Sequence, residues 1–100
     1  MSIYWVSFRI DHTGNYQYRY DALVEGIRGL AARFWEETTS FIVLETAASI
    51  DTLAADALSA IDPNNDVVLV RNMDSKSARV IGLVEDDDIY VLMPYLKYVE

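Results

Sequence analysis

The chain has 100 residues and a net charge of -8, from sixteen acidic and eight basic side chains, and it contains no cysteine. The lack of cysteine excludes disulfides, thiol catalysis and thiolate metal sites, and the acidic balance argues against broad binding to phosphate backbones. Hydrophobic residues make up 52% of the chain, and no apolar run reaches the ~20 residues that span a bilayer. We expect a single cytoplasmic domain over residues 1–100, without membrane contact or a secretory signal.

Alternating side chains between Ile3 and Ile10 predict the first strand. Every second residue from Tyr4 onward is apolar, whereas the other face carries Trp5 and Arg9. Turn-forming residues follow at positions 11–15 and separate this strand from the next element. The sequence therefore predicts a core strand with one fully apolar face and one mixed face.

A helical stripe follows this turn, and we expect the helix to begin between Arg19 and Asp21. Gly26 and Gly29 lie within it, where glycine weakens a helix but allows close approach to the sheet. The apolar positions of the stripe are Tyr20, Leu23, Val24, Ile27, Leu30, Ala31 and Phe34.

The next segment reads as a hairpin and a second helix. The residues at 36–38 predict a turn between a short strand at 33–35 and a β-branched strand at 39–46. Ser49 is a natural N-cap, Asp51 lies in the first turn, and Pro63 ends the helix. The apolar stripe of this second helix consists of Ile50, Leu53, Ala54, Ala57, Leu58 and Ile61.

The remaining chain predicts two further strands and a less regular C-terminus. The apolar run 67–70 is typical of a strand buried on both faces, and 78–84 predicts a fifth, edge strand. The acidic run 85–88 predicts a solvated surface turn. For residues 89–100 we expect a short strand or extended piece to Met93 and then one helical turn with Pro94 at its start.

This order of elements is typical of an α+β, ferredoxin-like βαββαβ sandwich. Its two helices cover one face of an antiparallel sheet, and an extra C-terminal strand or short helix follows. The other face would remain uncovered, with Trp5 and Arg9 on it. Because an exposed apolar sheet is usually protected by a partner, we expect a homodimer with these two residues in its interface.

Four segments carry a resemblance to a known superfamily: the strand at 4–10, the segment 35–44, the helix capped by Ser49, and the strand at 66–70. Over residues 3–84 the chain resembles the superfamily of the second CRISPR-associated integration protein, the virulence-associated protein VapD and the SinR-like proteins. The resemblance implies a ferredoxin-like fold, dimerisation through the sheet and, in some members, metal-dependent nuclease activity.

The nuclease activity of that superfamily is associated with an aspartate near the end of the first strand. In the matching string 6–10 this position holds Arg9, and a guanidinium cannot ligate Mg²⁺. We therefore predict a non-catalytic homodimeric interaction module with no metal or cofactor, related to nucleic-acid or toxin–antitoxin systems. The alternative is an endoribonuclease or endonuclease that uses Mg²⁺ or Mn²⁺ through Asp11. His12 is expected to be an ordinary surface residue.

Two sets of basic residues are candidate binding residues. Arg9 either anchors a phosphate or carboxylate or pairs with Glu45 or another sheet acid, and the pairing is the favoured interpretation. Arg71, Lys76 and Arg79 form the one segment that could contact a nucleic-acid backbone. Their alternative role is a solvated hairpin tip. The sequence is thus compatible with either a protein or a nucleic-acid partner.

Overall fold

The fold is built around its first strand, whose two edges both pair with other strands. A computed structural model describes residues 1–100. The elements are β1 (Ser2–Arg9), α1 (Tyr16–Leu30), β2 (Arg33–Trp35), β3 (Phe41–Thr46), α2 (Ile50–Ala60), β4 (Val67–Asn72), β5 (Ala78–Gly82), α3 (Asp88–Leu92) and β6 (Leu96–Val99). The predicted α+β class is confirmed. None of the helices combines the length and apolarity needed to cross a lipid bilayer.

All six strands belong to one sheet in the order β2-β3-β1-β4-β5-β6. In this order, the strands from β2 through β3, β1 and β4 to β5 are joined by antiparallel pairs, whereas β6 pairs parallel to β5. The antiparallel pairing expected of the sheet is observed for β1 to β5 and not for the C-terminal β6, and the strand count exceeds the βαββαβ pattern. The parallel pair arises because α3 returns the chain to the starting end of β5 before β6 begins.

Helix α1 begins at Tyr16, earlier than the predicted range of Arg19 to Asp21. The Arg19 N–H donates to the Asn15 carbonyl at 3.1 Å, which closes the first helical turn. At the other end, Phe34 lies in β2 although its spacing continues the helical stripe. The pattern is misleading there because Phe34 packs against the same core from the adjacent strand.

Helix α2 agrees with its prediction. The Ser49 hydroxyl accepts a hydrogen bond from the Thr52 N–H at 3.1 Å, and Asp51 lies in the first turn. The helix ends at Ala60, ahead of Pro63. The cap satisfies one of the backbone donors that a helix N-terminus leaves without an intrahelical partner.

The two long helices approach each other closely at Gly26. A Cβ atom at this position would lie 2.5 Å from Asp56 Oδ2 on α2, whereas a Cβ at Gly29 would meet no atom within 4 Å. The close approach expected at these glycines therefore occurs at one of them only, and it is against α2 rather than against the sheet.

The main core lies between the two long helices and one face of the sheet. It contains 17 buried residues, including Tyr4, Val6 and Phe8 of β1. The helices contribute Leu23, Val24 and Ile27 from α1 and Ile50, Leu53, Ala54 and Ala57 from α2. Alternation along β1 thus places one complete set of apolar side chains beneath both helices.

The C-terminal segment reverses its predicted order, because the helix α3 comes first and the strand β6 follows. Ile89, Tyr90 and Met93 pack against a small second core on the other face of the sheet, around Ala78, Val80 and Leu96. Helical spacing lets these side chains cover the strands, and Pro94 lies just after the helix, where it opposes no internal hydrogen bond. The predicted edge position of β5 is also wrong, since β6 pairs on its outer side.

Candidate interaction surface

The face of the sheet opposite α1 and α2 has two halves. Over β4, β5 and β6 it is covered by α3 and the adjoining chain, which we call the covered half. Over β1, β2 and β3 nothing covers it, and we call this part the open half. The strand registers place nine side chains on the open half: Ile3, Trp5, Ser7, Arg9, Arg33, Trp35, Phe41, Val43 and Glu45.

A row of large apolar side chains crosses the centre of the open half. Val43 pairs with Trp35 on one side and with Trp5 on the other. The rings of Trp5 and Phe41 lie 5.9 Å apart at their centroids. Trp35, on the edge strand, is 41% exposed. Together with Val43, these rings form a contiguous apolar patch, of the kind that marks interaction sites on protein surfaces.

Ion pairs flank this apolar row. Arg33 lies 3.8 Å from Glu45 at one end of the open half. Arg9, at the other end, lies 3.9 Å from both Asp11 and Glu85. Glu45 is not the partner of Arg9, because it is in register with Ile3 at the opposite end of β1. The expected alternative, another acid of the sheet, is not the partner either, since Asp11 and Glu85 lie outside the strands.

The structure places Trp5 and Arg9, the two predicted interface residues, on the same uncovered face. Arg9 makes no hydrogen bond to either neighbouring carboxylate, and about half of its side chain is exposed. Beside Arg9 lies a groove of about 360 Å³, which has Val67, Leu69 and Ile89 in its lining. Arg9 therefore stands at the border between the open half and the covered half.

The residues around Arg9 do not provide a site for a divalent metal. Asp11 is the carboxylate on the chain just after β1, and its Oδ1 lies beside the Arg9 guanidinium. His12 stacks on the ring of Tyr16, with centroids 4.1 Å apart. No group of three or more acidic or histidine side chains comes together to hold a metal ion. Because Mg²⁺ and Mn²⁺ favour several oxygen ligands, this donor set does not fit them.

The three bases predicted as a nucleic-acid contact do not form one patch. Arg71 and Arg79 lie on opposite faces of the sheet, since Arg71 is paired with Ala78 and Arg79 with Val70. Arg71 donates to the backbone carbonyls of Asn72 and Ser75. On the helix face, Arg79 Nε lies 2.8 Å from Asp51 Oδ1. Lys76 is exposed in the loop between β4 and β5.

A buried ion pair next to the loop 11–15, which follows β1, was missed in the sequence analysis. Arg19 Nε donates to Asp66 Oδ2 at 2.9 Å, and neither side chain is appreciably exposed. The other guanidinium donors bind the carbonyls of Asp11 and Thr13, Asn15 Oδ1 and Asp66 Oδ1. All five donors of Arg19 are thus satisfied, which holds the loop 11–15 in place after β1.

Asp66 also accepts backbone hydrogen bonds from Asp11 and Asp62, at 2.9 and 2.8 Å. Burial acts to raise the pKa of Asp66, but the hydrogen bonds from Arg19 and from these two N–H groups outweigh burial and lower the pKa below its usual value. Nothing in the sequence around Arg19 distinguishes it from a surface arginine. The signal that could have indicated the pair is Asp66, an acidic residue directly before the apolar strand 67–70.

Comparisons with protein-family models, with curated proteins and with solved structures gave no match to this chain. The superfamily resemblance therefore remains an expectation.

Proposed function

We propose that this chain is a non-catalytic interaction module that assembles as a homodimer through the open half of its sheet. The observation that carries the proposal is the row formed by Trp35, Val43 and Trp5, which no element of the chain covers. A second copy is the simplest partner, since an interface about a two-fold axis covers the exposed apolar row of both copies at once.

The ferredoxin-like assignment is part of this proposal. The first four strands have the order β2-β3-β1-β4 with antiparallel neighbours, and two helices connect them on one face. This arrangement supports a split βαβ core to which β5, α3 and β6 have been added. Membership in the superfamily of the CRISPR-associated integration protein, VapD and the SinR-like proteins rests on the same order of elements.

A protein partner suits the charges of the molecule better than a nucleic acid does. Five of the six arginines pair with carboxylates, and the sixth, Arg71, binds backbone carbonyls. Lys76 and Lys97 are the two basic side chains that contact neither a carboxylate nor a backbone carbonyl. The chain as a whole has a net charge of -8. Affinity for nucleic-acid backbones depends on accumulated free cations, which are scarce here.

The nuclease alternative is less well supported. Its chemistry requires carboxylates that hold a divalent cation and lower the pKa of a bound water. Arg9 occupies the position of the superfamily aspartate, and its positive charge opposes cation binding beside Asp11.

Light scattering after size exclusion tests the proposed dimer. We expect the wild-type chain at micromolar concentration to have twice its chain mass of 11.4 kDa. Trp35→Glu should shift the protein to the monomer mass with an unchanged circular-dichroism spectrum, because this side chain is 41% exposed on an edge strand. Tyr18→Glu, at an exposed position on α1, is the matched control and should remain dimeric. A monomeric wild-type protein would overturn the proposal.

A further inference from the structure

On the face of the sheet opposite α1 and α2, α3 covers only the half formed by β4, β5 and β6. The covered half therefore stands higher above the sheet than the open half beside it. Ile89 and Tyr90 turn toward the strands, whereas Val91 and Leu92 point away from them. Val91 is 77% exposed and Leu92 is 76% exposed, which makes α3 an apolar projection. We call these two residues the α3 ridge.

The position of the ridge along the strands is set by contacts on either side of α3. Glu85, ahead of the helix, lies 3.9 Å from Arg9. Tyr95, after the helix, carries the Arg71 guanidinium over its ring at 4.9 Å, and Arg71 is in register with Trp5. The ridge therefore lies within the stretch of β1 from Arg9 to Trp5, and the Trp5 end of this stretch is the level of the apolar row on the open half.

The size of the open half indicates that it does not form a dimer interface alone. Strands β1, β2 and β3 contain 8, 3 and 6 residues, which at roughly 3.3 Å per residue and a spacing of roughly 4.8 Å give a planar footprint of roughly 270 Å². A standard interface buries about 800 Å² on each partner. An interface of that size extends beyond the open half, and the α3 ridge is the exposed apolar surface that adjoins it on the same side of the sheet.

We propose that two copies dock reciprocally, with the α3 ridge of each copy seated on the open half of the other. This inference rests on the proposed homodimer and specifies its geometry. A two-fold axis parallel to the strands exchanges the two halves and preserves the level along the strands. It therefore brings Val91 and Leu92 of one copy against Val43 and the two tryptophans of its partner. An axis across the strands would instead set ridge against ridge.

Cross-linking tests this geometry directly, because the native chain contains no cysteine. One chain carries Leu92→Cys, and a second chain with a size tag carries Val43→Cys. The two are mixed, allowed to exchange subunits and treated with a short bis-maleimide reagent. We expect the mixed product between the two variants, and neither variant alone should cross-link to itself. All samples are compared with the wild-type mass from light scattering.

The outcomes separate the geometry from the proposed dimer. A dimeric wild-type protein in which Val43→Cys cross-links to itself overturns reciprocal docking and indicates that the open halves face each other. Self-linking of Leu92→Cys overturns it in favour of ridge against ridge. Absence of the mixed product in a dimeric protein also overturns it. A monomeric wild-type protein overturns both the inference and the proposed function.

A second variant tests the energy of the contact rather than its position. Leu92→Asp should weaken dimerisation at least tenfold, because it places a charge against the apolar row of the partner, and its exposed position leaves the monomer folded. Tyr18→Asp, at a similarly exposed apolar position on α1, should leave the dimerisation constant unchanged. Equal affinities of Leu92→Asp and the wild type would overturn reciprocal docking.

Discussion

Arg19 and Asp66, which are 47 residues apart in the sequence, form a buried ion pair between the first turn of α1 and the turn before β4. The pair connects the loop after β1 to the turn before β4. The carbonyl of Asp66 also accepts the Leu83 N–H at 2.8 Å, and a Cβ at Gly82 would lie 2.0 Å from that carbonyl oxygen. One end of the sheet is therefore held by charge and backbone contacts in addition to the apolar packing of Phe8, Ile10 and Ile61.

Asp66→Asn should lower the free energy of unfolding by about 3–5 kcal/mol, because removal of one partner leaves the other charge buried without compensation. Urea denaturation followed by circular dichroism measures this loss. Asp21→Asn is the matched control, since Asp21 is an exposed acid on α1. Similar midpoints for the two variants would mean that the buried pair does not hold the fold together.

Acid should remove the contribution of the Asp66 carboxylate to the free energy of unfolding. The folded-state pKa of Asp66 is lower than its unfolded value of about 3.9, so the carboxylate stabilises the fold above that value. This stability is lost as the pH falls through the folded-state pKa. The difference in stability between the wild type and Asp66→Asn should therefore be full near neutral pH and shrink below about pH 4. A difference that stays constant down to pH 2 would contradict the assignment.

Asp56 should destabilise the protein at neutral pH. Its Oδ2 atom is buried between α1 and α2 without a hydrogen-bond partner, and burial raises the pKa of this carboxyl. Asp56→Ala is expected to stabilise the protein by about 1 kcal/mol near pH 7. Because a raised pKa means that the folded state favours the protonated form, the gain should shrink as the pH falls through that pKa. Thermal melts at several pH values test this prediction, and a loss of stability at pH 7 would contradict it.

The two glycines of α1 should respond differently to alanine. Gly29→Ala is expected to stabilise the helix by about 0.5–1 kcal/mol, since the added methyl group meets no neighbour. Gly26→Ala should gain less, because its Cβ must displace the Asp56 carboxylate. A double-mutant cycle with Asp56→Ala is the test, and the missing gain at Gly26 should return in that background. Equal single-variant gains would show that the helix contact tolerates a methyl group.

The wild-type protein should show no cleavage of RNA or DNA with Mg²⁺ or Mn²⁺ above an Asp11→Ala control. The reason is the positive charge of Arg9, which lies beside the Asp11 carboxylate and opposes cation binding there. Asp11 contributes its backbone N–H and carbonyl to the buried network, so the alanine variant keeps those contacts. Metal-dependent cleavage that disappears in a folded Asp11→Ala protein would favour the nuclease.

Local patterns in the sequence determined much of the first 72 residues. Alternation defined the inward face of β1, and Ser49 with Pro63 bounded α2, because a cap and a proline act within a few residues of the chain. The uncovered apolar face carrying Trp5 followed from the same alternation. Its partners Trp35 and Val43 did not, since cross-strand rows depend on a register that the turn between β2 and β3 sets.

Only the tertiary structure decided the features that join distant parts of the chain. Residues 89–93 are compatible with a strand or a helix, and the exposed outer face of β4 and β5 selects the helix because it needs a cover. Arg9 pairs with Glu85 rather than Glu45, and Arg71 and Arg79 separate to opposite faces, because strand pairing fixes which side chains meet. Folding removes Arg19 and Asp66 from water, and a buried charge is costly unless an opposite charge pairs with it. The partner is distant in the sequence, so only the folded chain brings the two together.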